Sequence, residues 1–161
     1  STFYFDLKLK TSEENLNENT IPDYDTSKPA VNASLMAAQS HTFLVVEDNK
    51  VNMLLLKTIL KNLVSNAIIY ESENGQDALE LFESITPDLV FMDIQMPVMN
   101  GYETTKIMRN TLKGEKIPIV ADTAGAEKEE RDKCLNAGMN DYISKPIMKG
   151  VVEDILQKWL S

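Results

Sequence analysis

The chain has 161 residues, of which 43% are hydrophobic and 25% charged, the make-up of a globular domain of ordinary size with an appendage. Its net charge of −9 argues against a nucleic-acid surface, which needs clustered Lys and Arg, and no apolar run is long enough to span a bilayer. No charged-then-apolar leader opens the chain, and one cysteine, Cys134, leaves no internal disulfide and points to a reducing compartment.

Residues 1–10 alternate, with Phe3, Phe5, Leu7 and Leu9 on one face, which predicts a half-buried strand. A lone strand is not stable, so it must pair elsewhere on the chain or belong to a domain whose body lies upstream. Residues 11–40 read as an acidic linker broken by Pro22 and Pro29, with a more apolar stretch at 31–38 that suits a short helix. His41 reads as a linker histidine. From Thr42 the pattern becomes regular. Strands are predicted at 43–46, 67–70, 88–92, 117–121 and 139–143. They alternate with helices at 50–64, from Gly75 with Ala78, Leu79 and Phe82 inward, and at 101–111, 126–137 and 147–160. Asn49 is a good N-cap, and Gly138 suits a helix C-terminus. Cys134, beside Leu135 and Ala137, reads as a buried structural thiol. Five strands alternating with five helices imply an α/β fold with a parallel sheet and right-handed crossovers.

The unusual residues sit where strands end. Glu47 and Asp48 follow the first strand, Asp93 the third, Thr123 the fourth, and Lys145-Pro146 the fifth. In open parallel sheets chemistry gathers at these ends. Three carboxylates in one small space repel unless a cation joins them, and oxygen-only ligands suit a hard divalent ion such as Mg²⁺. Glu47-Asp48 alone reads equally well as an acidic surface turn. Asp93 reads as a nucleophile that attacks phosphorus to give an acyl phosphate, and otherwise as a strand-end cap. Lys145 is a compact cation able to reach a phosphoryl oxygen, against the ordinary fate of a solvated lysine. Thr123 offers a hydroxyl to the same oxygens or caps the following helix. Tyr142 either swings inward with Thr123 or is a half-buried aromatic.

Together, Val46-Glu47-Asp48-Asn49, Met92-Asp93-Ile94-Gln95-Met96-Pro97 with Asn100-Gly101, Thr123-Ala124, and Tyr142-Ile143-Ser144-Lys145-Pro146 resemble the receiver domain of bacterial two-component signalling. The resemblance covers residues 42–160. It implies a flavodoxin-like (βα)5 three-layer sandwich with a five-stranded parallel sheet of order 2-1-3-4-5. It makes Asp93 the phosphoacceptor and Asp48 a direct Mg²⁺ ligand (Mn²⁺ being the alternative ion), with Glu47 acting through water. The main-chain oxygen of Gln95 completes the protein ligands, Thr123 and Tyr142 form a switch pair, and Lys145 binds the phosphoryl group. Residues 1–5 more weakly resemble the closing strand of a histidine-kinase ATP-binding domain. The expected organisation is therefore a kinase strand at 1–10, a linker at 11–40 and a receiver at 41–161, in a hybrid sensor kinase. The expected partners are a histidine kinase core and a histidine phosphotransfer protein. The expected setting is cytoplasmic, under a membrane-anchored parent, with no DNA-binding output domain after Ser161. On this reading the fragment is a self-phosphorylating acceptor without a kinase core. Met99, Tyr102 and Tyr142 are expected near the partner surface.

Two positions depart from the family pattern. Asn100 stands where an Asp is usual, a change expected to matter little. Asp122 stands where receivers usually carry an apolar residue; it either repels the phosphoryl group or points to the opposite face. Three rivals share some of the features. A haloacid-dehalogenase-type phosphatase needs a second Asp two residues after the nucleophile, where Gln95 stands. A flavin module needs a phosphate loop where Glu47-Asp48 stand. A receiver-like docking module that takes no phosphate is kept open by Asp122.

Overall fold

The computed structural model describes residues 39–161, apart from Ala126. The strand expected at 1–10, the body of the linker and the short helix at 31–38 lie outside these residues.

Ten elements alternate strictly: β1 (Thr42–Val46), α1 (Lys50–Leu63), β2 (Ile68–Ser72), α2 (Gly75–Ser84), β3 (Leu89–Asp93), α3 (Gly101–Arg109), β4 (Ile119–Thr123), α4 (Lys128–Asn136), β5 (Asp141–Ser144) and α5 (Lys149–Leu160). All strand pairs are parallel and the sheet order is β2-β1-β3-β4-β5, as expected. β3 and β4 are buried along their whole length, so their near-continuous apolar runs are those of strands covered on both faces.

Period-two alternation sorts the strand side chains between two cores. Phe43, Val45, Leu89, Phe91, Val120 and Ile143 pack with α1 and α5. Leu44, Val46, Val90, Met92, Ile119 and Ala121 pack on the other side with Ala78 and Phe82 of α2, Met108 of α3 and Cys134 of α4.

The fourth and fifth strands begin two residues later than the apolar pattern suggests. Pro118 has no N–H to give to the sheet, although its carbonyl accepts from Val90 N at 3.0 Å. β4 instead runs on through the polar Asp122 and Thr123, because its ladder with β3 continues to the Asp93–Asp122 pair. β2 likewise extends into Glu71 and Ser72, while Ala67 is held back by a turn onto Val64 O. His41 is not a linker residue. Its carbonyl accepts from Ile68 N, and its buried ring lies 6.4 Å from that of Phe43.

Two basic side chains tie down the irregular segment between α3 and β4. Arg109 donates to the carbonyls of Gly138, Gly114 and Ile117 and to Asn140 Oδ1. Lys113 donates to the carbonyls of Phe82, Glu83 and Ile85, the free acceptors at the end of α2.

Candidate active site

The carboxyl ends of β1, β3, β4 and β5 bring the expected residues to one edge. Asp93 closes the central strand and is only 3% exposed. Its Oδ1 accepts the main-chain N–H of Gln95 at 3.1 Å, and its Oδ2 lies 3.2 Å from Lys145 Nζ. The same ammonium lies 3.0 Å from Glu47 Oε2. Glu47 is 2% exposed; its Oε1 accepts from Asn49 N at 3.0 Å and from Asn52 Nδ2 at 3.3 Å. Asn52 was not singled out from sequence. Its amide faces Glu47 because it sits in the first turn of α1, which Asn49 caps through its side chain.

Backbone contacts fix this edge. Ile94 N donates to Asp122 O, and Gly101 N to Ile94 O, so the loop after β3 folds back on itself. A side chain at Gly101 would collide with the carbonyl oxygen of Asp93 and come within 3.0 Å of Ile94 Cα, so the close approach requires glycine here. Asn100 caps α3 in a reciprocal box: its Oδ1 accepts from Glu103 N at 2.9 Å, and Glu103 Oε2 accepts from Asn100 N at 3.2 Å. Lys145 N donates to Thr123 O at 2.8 Å, and the Lys145–Pro146 peptide bond is cis.

Burial is the main force on the ionisable groups. It pushes the Asp93 carboxyl up to about 6; the neighbouring Glu47 pushes the same way, while the Gln95 amide and Lys145 pull against them. Burial lifts Asp122 to about 7, with Lys145 opposing and the carboxylates of Glu47 and Asp93 reinforcing. For Lys145 burial works against the charge, but the carboxylates of Glu47, Asp122 and Asp93 outweigh it and the ammonium is held above its ordinary range.

Glu47, exposed Asp48 and Asp93 each offer an oxygen within 4.8 Å of the others. Glu47 Oε2 is buried with no well-directed hydrogen-bond donor, its charge being met by the Lys145 ammonium. Three oxygen donors so close together, with no nitrogen or sulfur ligand among them, fit a hard divalent cation.

Thr123 and Tyr142 lie beside this cluster rather than in it. Strand alternation sets both on the α2–α3–α4 side of the sheet. Thr123 is buried, and its hydroxyl accepts from Gly125 N at 3.3 Å; it does not cap α4, whose N-cap is Glu127. Tyr142 is half-buried, with the Arg131 guanidinium 5.8 Å from its ring centre. Tyr102 OH donates to Glu130 Oε1 at 2.6 Å, which joins α3 to α4. Cys134 is buried, as expected of a structural thiol, and burial pushes it up.

Residues 43–157 match the family model described as "Response regulator receiver domain". The chain is 35% identical over 127 residues to the sensor histidine kinase GacS of Pseudomonas protegens, a stretch covering 77% of this chain and 14% of that protein. Among solved structures it resembles the receiver domain of a Pseudomonas aeruginosa PAO1 sensor histidine kinase (TM-score 0.69, 35% identity, 76% of this chain and 98% of that one), which holds a magnesium ion in its active-site cleft. It also resembles the Saccharomyces cerevisiae response-regulator receiver solved with the histidine phosphotransfer signaling protein Ypd1 (TM-score 0.68, 31% identity, 74% of this chain and 88% of that one). Among the described residues no helix is long and apolar enough to cross a membrane.

Proposed function

The chain belongs to the response regulator receiver family of two-component signalling, and on that footing we propose that it accepts a phosphoryl group from a phosphohistidine onto Asp93 and passes it on in a phosphorelay. The observation that carries this reading is the buried Asp93 carboxylate at the end of the central strand, with Lys145 on one of its oxygens and two further carboxylates beside it. A carboxylate oxygen of Asp93 attacks phosphorus. The P–N bond to the donor imidazole breaks, and the nitrogen keeps the electron pair and takes a proton. Lys145, already against Asp93 and Glu47, lies within reach of the incoming oxygens as a point charge. Glu47 and Asp48, with Asp93 and the main-chain oxygen of Gln95, would hold Mg²⁺. Bound there, the ion supplies positive charge against the negative charge on the transferring group. Thr123 and Tyr142, on the other side of the sheet, would report the change.

The parent would be a hybrid sensor kinase whose ATP-binding domain ends in residues 1–10, with residues 11–40 as a linker. Its donor would be a histidine kinase core, its own or a partner's, and its acceptor a histidine phosphotransfer protein. Exposed Val51 and Leu54 on α1, with Val98 after β3, supply apolar area that such a partner could cover; Met99 and Tyr142 are half-buried.

Intact-mass spectrometry after incubation with Mg²⁺ and acetyl phosphate tests the reading. One phosphoryl adduct is expected, lost in Asp93→Asn and in chelator. No adduct, either from acetyl phosphate or from a phosphohistidine donor, would favour the docking-module reading, which draws its support from the extra carboxylate of Asp122.

A further inference from the structure

Asp122 is a fourth acidic side chain at the same edge, and the phosphoryl reaction gives it no part. It pairs in register with Asp93 on the adjacent strand. It therefore projects from the same side of the sheet as Asp93, the side on which Val120 and Phe91 pack. It is 2% exposed, and its carboxylate oxygens receive no donor among the described residues; the group it meets is the carboxyl of Glu47, itself an acceptor when ionised. The groups that act on its charge are Lys145, Glu47 and Asp93, the members of the site itself. Its register position beside Asp93 and its place on the same face of the sheet put this carboxylate with the acidic cluster.

The charges then do not balance. Glu47, Asp93 and Asp122 act on the ammonium of Lys145, and Asp48 shares the oxygen cluster with Glu47 and Asp93. A divalent cation would neutralise this set if position 122 were apolar, and with Asp122 ionised one negative charge is left over. An acyl phosphate on Asp93 adds a further negative charge. A charge buried without a partner is poorly screened and acts on its neighbours at close range. Its effect has opposite signs on the two species that the site must hold.

We propose that Asp122 is a positioning residue of the acceptor site that acts through charge: it tightens the binding of the divalent cation and raises the free energy of the phosphoryl group on Asp93. The first half stands on the carboxylate cluster alone; the second rests on the phospho-acceptor reading above. A group held at higher free energy is passed on or hydrolysed more readily, so Asp122 makes the site a point of transit rather than of storage. In hydrolysis, water attacks phosphorus, the bond to the Asp93 oxygen breaks, and inorganic phosphate leaves with the carboxylate regenerated.

The test uses the full chain and its Asp122→Asn and Asp122→Leu variants in mildly alkaline buffer, with thermal melts to confirm that each is folded. Asp122→Asn keeps the shape and removes the charge. Calorimetric titration with MgCl2 alone is expected to show roughly five- to tenfold weaker binding in both variants. The steady-state phosphoryl adduct at saturating Mg²⁺ and fixed acetyl phosphate, read by intact mass, is expected to rise severalfold in both. Simple structural damage would lower both quantities together, and that result would overturn the proposal. So would unchanged Mg²⁺ affinity in Asp122→Asn. Weakened Mg²⁺ binding with no adduct in any of the three proteins would overturn the phosphoryl half and the acceptor reading with it, while supporting the role in cation binding.

Discussion

Val98 has φ of 71°, in the left-handed region that a β-branched side chain rarely adopts, and it is 92% exposed. Nothing in the fold repays that strain by burial. Asn tolerates this region far better and, unlike Gly, adds little freedom to the unfolded chain. Val98→Asn is therefore expected to stabilise the protein by about 1 kcal/mol, measured by urea denaturation. The contrast between Asp93 and Asp122 is also a matter of single residues. The sequence places both acids at strand ends, and the motif around Asp93 gives that residue an expected role. Which way Asp122 points depends on the pairing of β3 with β4, and two apolar neighbours on either side of a strand look alike in sequence. Arg109 and Lys113 were equally silent for a different reason. Their acceptors are main-chain carbonyls, which carry no residue signature, and Lys113 reaches back about thirty positions to find them.

Among the elements, α3 shows how a departure from the family pattern can be accommodated. Asn100 replaces the usual Asp but keeps an acceptor oxygen for the first turn, and Glu103 closes the box from the other side. Asn100→Ala removes that acceptor and is expected to cost about 1 kcal/mol in urea denaturation, with the phosphoryl adduct still formed. The existence and order of the strands and helices were legible because their periodicities are strong. Boundaries were less so, since ladder pairing carried β2 and β4 into polar residues that a hydrophobic pattern leaves out.

For the whole molecule, the acidic edge ties stability to pH. Asp93 and Asp122 sit at about 6 and about 7 in the folded chain, above the ordinary value of 3.8. Between those limits the folded state binds more protons than the unfolded one, so the free energy of unfolding falls as pH rises through this window. In chelator, stability is expected to drop by a few kcal/mol between about pH 4 and about pH 8, followed by urea denaturation at a series of pH values. Asp122→Asn should remove a large part of that slope, and Mg²⁺ should flatten it by favouring the ionised carboxylates.

The two-sided sorting of strand residues has a further consequence for how such a domain can diversify. Asp93, Asp122, Glu47 and Lys145 belong to the α1–α5 side, while Thr123 and Tyr142 belong to the other. Residues 122 and 123 are separated by one peptide bond, yet their side chains enter different compartments. Surfaces of α2, α3 and α4 can therefore change without altering the acid cluster, and the cluster can be retuned at position 122 without changing those surfaces.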